Sequence, residues 1–257
     1  MAIGIEEIII LCIVAFAAGF VDAIVGGGGL LQTPASIIIL SPQPVVNAIA
    51  SVKIPSFSGT LFAAFQYLKK VRLNWKLTVI MCTIAFFASF AGSQLLTVVS
   101  NEFMKPVLLI VLTAVAIYTY TKKSFGQQEV KDHTPEREII YAVLISLLIG
   151  FYDGFIGPGA GSFLILAFIS LLGYDFLHAS AQAKLVNLAT NLGSIILFSI
   201  KGKIIWTVAL PMAACNALGG ILGARMAIAK GNNFIRLFFL VIVILTLARF
   251  AWDIFFT

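Results

Sequence analysis

"GFVDAIVGGGG", residues 19–29, interrupts a long apolar run with four consecutive glycines. Glycine in a helix interior is about 1 kcal/mol less favourable than alanine, so this stretch predicts that the helix breaks here. "GFYDGFIGPGAG", residues 150–161, repeats the pattern with the Gly-Phe start, the aspartate and two later glycines in register. The sequence therefore predicts two helix breaks with similar residues, and the fold must accommodate both.

The composition identifies the environment of these breaks. The 257-residue chain is 60% hydrophobic and 11% charged, whereas soluble domains average about 45–50% apolar and 25% charged residues. Its apolar runs are long enough to cross a ~30 Å hydrocarbon core, which takes about 20 helical residues. The net charge of +6 comes from loops between these runs, where membrane proteins accumulate lysine and arginine. The chain is predicted to be an all-α polytopic membrane protein in contact with the lipid bilayer, with no nucleic-acid partner.

The apolar segments form two sets of five, and the second segment of each set is short. The predicted segments are 5–25, 29–40, 45–68, 77–99, 104–121, 139–156, 161–173, 176–199, 204–229 and 234–256. The short segments, 29–40 and 161–173, each follow a glycine cluster. We therefore predict a transmembrane repeat 1 over residues 1–121, a polar linker over 122–138 and a transmembrane repeat 2 over 139–257. Each repeat would contain about four long transmembrane helices and one short, Gly-broken segment.

The two halves align without a gap when 131 is added to each position in residues 19–126. The matched residues include Gly19/Gly150, Asp22/Asp153, Gly26/Gly157, Gly28/Gly159, Lys53/Lys184 and Trp75/Trp206. Such residue types at one constant offset indicate an internal duplication. Basic residues in the loops fit inverted and parallel repeats equally well. We favour inverted repeats with both termini outside, because broken helices recur in inverted repeats and the N-terminus lacks basic residues.

The glycine breaks predict an anion site near the membrane midplane. Non-helical backbone is tolerated at membrane depth only where it is buried or lines a wet cavity. A short helix beginning at about Leu30 would present unpaired N–H groups and the positive end of its dipole to an anion. In the second half, Ser162 is a candidate N-cap and binding residue. The candidate binding glycines are Gly26, Gly27, Gly28, Gly29, Gly157, Gly159 and Gly161. The alternative is that they only permit close helix packing.

Four charged residues lie within predicted spans: Asp22, Lys53, Asp153 and Lys184. One such charge costs about 2.5–3.5 kcal/mol near the bilayer centre, so these residues must pair, become neutral or face water. In one interpretation they form structural Asp–Lys pairs, with Lys184 neutralising Asp153. In the other, the lysines bind substrate and the aspartates take part in proton coupling or gating.

Asn187 and Asn191 follow Lys184 at i+3 and i+7, so the three residues share one helix face. This polar face predicts a lining of the substrate pathway, with hydrogen bonding between helices as the alternative. The sequence contains no metal-binding, nucleotide-binding or nucleophile–base motif. We therefore predict no enzymatic activity, no metal and no cofactor.

With "GFVDAIVGGGGLLQTP", "NAIASVKIPSFSG", "GFYDGFIGPGAGSF" and "AQAKLVNLATN" in this order, the chain resembles the sulfite exporter TauE/SafE family, and within it the branch of probable membrane transporters. The resemblance implies a multi-pass secondary transporter of the bacterial inner (plasma) membrane. It implies the export of small sulfur-containing anions such as sulfite or organosulfonates. An anion-selective channel is the alternative. The substrate, the coupling ion and the oligomeric state, a homo-oligomer included, stay open.

Overall fold

A computed structural model describes residues 3–100 and 134–256, and the regular structure in these ranges consists of eight helices. They are α1 (Ile5–Val25), α2 (Gly28–Ile39), α3 (Val45–Leu68), α4 (Trp75–Val98), α5 (Pro135–Phe155), α6 (Ala160–Leu172), α7 (Phe176–Ile200) and α8 (Trp206–Phe256). The predicted segment 104–121 and residues 122–133 of the predicted linker lie outside the described residues.

Six of these helices are long and apolar enough to cross a membrane: α1, α3, α4, α5, α7 and residues 206–231 of α8. Their outer surfaces carry large apolar side chains, such as Ile5, Phe87 and Leu148, which are 65–78% exposed. A surface of this kind requires lipid rather than water. The prediction of an all-α polytopic membrane protein is confirmed.

Helices α2 and α6 are too short to cross the membrane alone. They contain 12 and 13 residues, which corresponds to about 18–20 Å at 1.5 Å per residue. Each follows a break at the predicted place. Gly26 ends α1 in the left-handed conformation, with φ +74°, and Gly159 precedes α6 with φ +81°. These positive φ values favour glycine.

One predicted boundary is wrong. Helix α2 begins at Gly28 rather than at Leu30, because Gly27 already has a φ of −98° and its carbonyl accepts a hydrogen bond from the Leu30 N–H. The predicted segments 204–229 and 234–256 correspond to two helical stretches of α8. They meet at Gly231, whose φ of 70° and ψ of −166° are not helical, so the predicted interruption between them is confirmed.

The two halves of the chain interlock. Helix α1 packs mainly against α8, and α4 packs mainly against α5; α3 and α4 also contact α8 and α7, respectively. Glycines bring these backbones together. A Cβ on Gly223 would lie 2.3 Å from the Phe20 carbonyl oxygen, and a Cβ on Gly92 would lie 2.1 Å from that of Phe151. Small residues allow the same close approach in membrane helices generally. Neither half therefore forms a bundle that is packed only within itself.

Contacts to the two aspartates show that α3 and α7 run in opposite directions. Along α3, Lys53 contacts Asp153 and Thr60 then contacts Asp22. Along α7 the order is reversed: Lys184 contacts Asp22, and the contact to Asp153 comes six residues later. Helices α5 to α8 also begin 130–132 residues after α1 to α4. Helices α3 and α7 are therefore antiparallel, and the described helices of the second half start at a nearly constant spacing after those of the first.

This antiparallel arrangement predicts that the ends of α3 and α7 lie on opposite sides of the membrane. Single cysteines at the exposed positions Lys70 and Lys201, in a background without Cys12, Cys82 and Cys215, test it. In sealed vesicles of one orientation, a membrane-impermeant maleimide should label one site and leave the other unlabelled until detergent is added. Equal labelling of both sites before detergent would contradict the antiparallel arrangement.

Candidate functional site

The two helix breaks lie against each other. The Ser162 N–H donates to the Gly26 carbonyl oxygen over 3.0 Å, and the Ser162 Oγ donates to the Val25 carbonyl oxygen over 2.8 Å. A Cβ on Gly26 would lie 2.3 Å from the Gly161 carbonyl carbon. The end of α1 and the start of α6 thus share a contact that admits no side chain at these glycines.

The predicted N-cap role of Ser162 is wrong. Gly159 occupies the N-cap position of α6, where no side chain caps the helix. Ser162 lies within the first turn, and its hydroxyl instead satisfies a carbonyl at the end of α1. The last carbonyls of a helix lack intrahelical donors, which explains why a hydroxyl from the other half is useful there.

Two buried ion pairs cross between the halves. The Lys53 Nζ lies 2.8 Å from the Asp153 Oδ1, and the Lys184 Nζ lies 2.8 Å from the Asp22 Oδ2. Each ammonium also donates to the backbone carbonyl of its aspartate. The prediction that Lys184 neutralises Asp153 is wrong, because the antiparallel α3 and α7 carry each lysine to the opposite half.

Each lysine also caps a helix. Asp22 and Asp153 lie in the last turns of α1 and α5, where carbonyl groups lack partners and the helix dipole is negative. A positive ammonium is therefore favoured at both places. The side chains of Lys53, Lys184 and Asp153 are 1–5% exposed, whereas that of Asp22 is 20% exposed. Breaking such a buried pair by removing one partner costs about 3–5 kcal/mol.

The breaks and the ion pairs enclose one cavity. It is lined by Asp22, Gly26, Gly29, Thr33, Ile49, Val52, Lys53, Ser56, Asp153, Ile156, Gly157, Gly159, Ala160, Gly161, Asn187 and Asn191. The space open to the centre of a water molecule is about 30 Å³, enough for about two waters. Helices must therefore move apart before a larger solute can enter.

Most of the predicted site residues meet at this cavity, and four do not. Gly27, Gly28, Ser162 and Lys184 lie outside its lining. Gly28 serves packing, since a Cβ there would lie 2.4 Å from the Ala18 carbonyl oxygen. Lys184 points to Asp22 and so acts behind the cavity wall. The glycine clusters thus combine the two roles that the sequence left as alternatives, a cavity lining and close packing.

Sequence reasoning missed Ile49, Val52 and Thr33 of the lining. Ile49 and Val52 lie at i−4 and i−1 from Lys53, on one face of α3 together with Ser56 at i+3. Thr33 lies at i+4 from Gly29 on α2. Helical spacing from the predicted lysine and glycine is the signal that identifies them.

Helix α7 contributes amide groups to the cavity. Asn191 Nδ2 donates to the backbone oxygen of Asn187 over 2.9 Å and to its Oδ1 over 2.6 Å. Both asparagines line the cavity and are at most 8% exposed. They therefore place polar groups on the wall that faces the glycine breaks.

The charges around the cavity balance. Two ammonium groups face two carboxylates, while the N-termini of α2 and α6 add partial positive charge. The Lys53 ammonium on the cavity wall already has the Asp153 carboxylate as its partner. Within residues 3–100 and 134–256, no group of three His, Cys, Asp or Glu side chains could hold a metal ion.

Alanine substitutions at two neighbouring glycines test whether the contact between the two breaks excludes a side chain specifically at Gly26. Gly26→Ala should lower the free energy of unfolding by about 2–5 kcal/mol, because the left-handed conformation costs about 1–2 kcal/mol and overpacking about 1–3 kcal/mol. Gly27→Ala is the matched control, since its Cβ would meet Ser162 Oγ at 3.6 Å, an ordinary contact. Denaturant unfolding in detergent measures both, and equal stability of the two variants would contradict this account of the break.

The crossed ion pairs predict a specific pattern of rescue. Lys184→Gln should cost at most about 3–5 kcal/mol of unfolding free energy, because it leaves the Asp22 carboxylate, which is 20% exposed, without its cation. Adding Asp22→Asn should restore most of this loss, whereas adding Asp153→Asn should not. Unfolding of the single and double variants in detergent provides the measurement. Rescue by Asp153→Asn instead would mean that the pairs lie within each half.

Comparison with known proteins relates this chain to membrane transporters. A family model described as sulfite exporter TauE/SafE matches residues 11–250. A probable membrane transporter protein of Haemophilus influenzae is 34% identical over 253 residues, covering 98% of both chains. The probable membrane transporter protein YfcA of Escherichia coli is 30% identical over 244 residues, covering 95% of this chain and 89% of its own. No solved structure matches the chain. Since the family model and these relatives cover nearly the whole sequence, the chain belongs to the sulfite exporter TauE/SafE family.

Proposed function

We propose that this protein is a secondary transporter that exports small anions, most fittingly sulfite or organosulfonates, across the bacterial inner membrane. The observation that carries the proposal is the pair of facing helix breaks, held together by ion pairs that cross between the halves, around one cavity. The family and the names of its relatives support a membrane transporter. The family description supports sulfite as the substrate class.

The halves function as inverted repeats in this proposal. The antiparallel α3 and α7, the constant spacing of helix starts and the residue matches at an offset of 131 support it. Transporters built from such repeats bind substrate near the bilayer midplane, at broken helices between the repeats. The glycine breaks at Gly26 and Gly157 correspond to that position.

The substrate anion takes the place of a carboxylate as the partner of a lysine. Asp153 and Lys53 both line the cavity, and their charges cancel. An added anion would leave a net negative charge in a buried site, which is costly. Protonation of Asp153 removes this charge and releases Lys53 to the anion. Asp153 thereby couples anion binding to a proton and loosens the contact between the halves.

The small cavity supports a transporter rather than an anion-selective channel. Space for about two waters provides no continuous path for an anion. Crossing therefore requires a rearrangement for each transported ion.

Sulfite uptake into proteoliposomes should saturate with concentration and respond to an imposed proton gradient. A flux that rises linearly with concentration would favour the channel.

Matched double variants test the site itself. Lys53→Gln/Asp153→Asn removes the ion pair on the cavity wall without leaving a charge unpaired, and should weaken sulfite binding by about 30–150-fold. This range corresponds to the ~2–3 kcal/mol of a charge-assisted hydrogen bond. Lys184→Gln/Asp22→Asn is the comparison variant. It removes the other ion pair, whose aspartate lines the cavity but whose lysine lies outside the lining, and should therefore lose less affinity.

Sulfite affinity and melting temperature are measured together under anaerobic conditions. The first double variant should remain folded and lose affinity more strongly than the second. Wild-type affinity in a folded Lys53→Gln/Asp153→Asn variant would exclude Lys53 as an anion ligand.

A further inference from the structure

The buried face of α2 extends beyond the cavity as a polar surface. Gly29, Gln32, Thr33 and Ser36 recur at i, i+3, i+4 and i+7, so they share one helix face. Gly29 and Thr33 line the cavity. Gln32 and Ser36 are 1% and 0% exposed. The two buried polar side chains therefore continue the wall on which the cavity lies.

Both side chains have hydrogen-bonding capacity that the described residues do not use. Among them, no partner is found for Gln32 Nε2 or for Ser36 Oγ. The orientation of the Gln32 amide is set by Asn216, whose Nδ2 donates to Gln32 Oε1 over 2.9 Å. This leaves the Gln32 NH2 group as a donor. Buried donors without acceptors are destabilising, so an acceptor supplied from outside the described residues is favoured here.

The fold keeps room for the amide that orients Gln32. A Cβ on Gly59 would lie 1.8 Å from Asn216 Oδ1, and a Cβ on Gly19 would lie 2.7 Å from the same atom. Helices α1 and α3 thus lack side chains where Asn216 of α8 reaches between them. Asn216 is a positioning residue, which presents the Gln32 donor to its neighbours.

The polar face occurs in one half only. The positions 131 residues after Gln32, Thr33 and Ser36 are Phe163, Leu164 and Ala167, and the position 131 residues before Asn216 is Ala85. An apolar face therefore packs equally well in the related helix α6. The shared helix arrangement does not require these polar groups, which indicates that they serve a ligand.

We propose that Gln32 and Ser36 form a second subsite, which binds a neutral hydrogen-bond acceptor of an organic anion whose charged head lies at the glycine breaks. This inference rests on the proposed function and narrows its substrate class. Gln32 and Ser36 lie about 5–10 Å along α2 from Gly29, at 1.5 Å per residue. A ligand with a hydroxyl, carbonyl or amide oxygen beyond its sulfonate fits this spacing better than a bare oxyanion.

Two probes of equal charge isolate the second subsite: butane-1-sulfonate and 4-hydroxybutane-1-sulfonate, which differ by one hydroxyl group at the far end of a four-carbon chain. Affinities for the purified full chain are obtained by thermal-shift titration. The wild type should bind the hydroxylated probe about two- to tenfold more tightly, the range of one neutral hydrogen bond. Gln32→Met, which keeps the side-chain volume, should reduce this ratio to about one. Ser36→Ala should reduce it as well.

Ser146→Ala is the matched control, because Ser146 of α5 is another buried hydroxyl without a partner among the described residues. It should leave the ratio unchanged. If Gln32→Met does not fold, Ser36→Ala decides. An unchanged ratio in the folded variants would mean that the site holds only a structural water, and would overturn this inference alone. Failure of the wild type to bind either probe or sulfite would contradict the proposed function together with it.

Discussion

A charge inside a membrane needs a partner, and this fold supplies each partner from the opposite half of the chain. Lys53 of α3 neutralises Asp153 of α5, and Lys184 of α7 neutralises Asp22 of α1. Each ammonium also donates to the backbone carbonyl of its aspartate, in the last turn of the helix before the glycine break. The same two halves are packed together by α1 with α8 and by α4 with α5.

The glycine breaks depend on this arrangement. A helix that stops within the membrane exposes unpaired carbonyls on one side and unpaired amides on the other. Here lysine, serine and tyrosine groups satisfy the carbonyl side, for example Tyr67, whose hydroxyl donates to the Ala23 carbonyl. On the amide side, the Leu30 and Ala160 N–H groups donate to carbonyls within their own breaks, and the Ser162 N–H donates to the Gly26 carbonyl of the other break. The two breaks therefore satisfy part of each other's backbone.

Much of this architecture could be predicted from the sequence, and its limits have physical causes. The breaks follow from the glycines, and the spans follow from long apolar runs. The partner of Lys184 could not be predicted, because spacing along the chain does not tell which aspartate an antiparallel helix brings near. The contact of Ser162 with α1 depends on the same three-dimensional crossing. Gln32 was overlooked because nothing in the sequence separates one glutamine in a short apolar helix from a packing residue. Only the structure shows that its Nε2 group has no partner among the described residues.

The crossed pairs also impose an order on biogenesis. Lys53 and its partner are 100 residues apart, and Asp22 and its partner are 162 residues apart. At synthesis rates of about 5–20 residues per second, these intervals last roughly 5–30 s. During that time the nascent first half holds a lysine and an aspartate whose partners have not yet been made. The insertion machinery must therefore shelter or hydrate these two side chains, and the first half cannot settle into the bilayer before the second arrives.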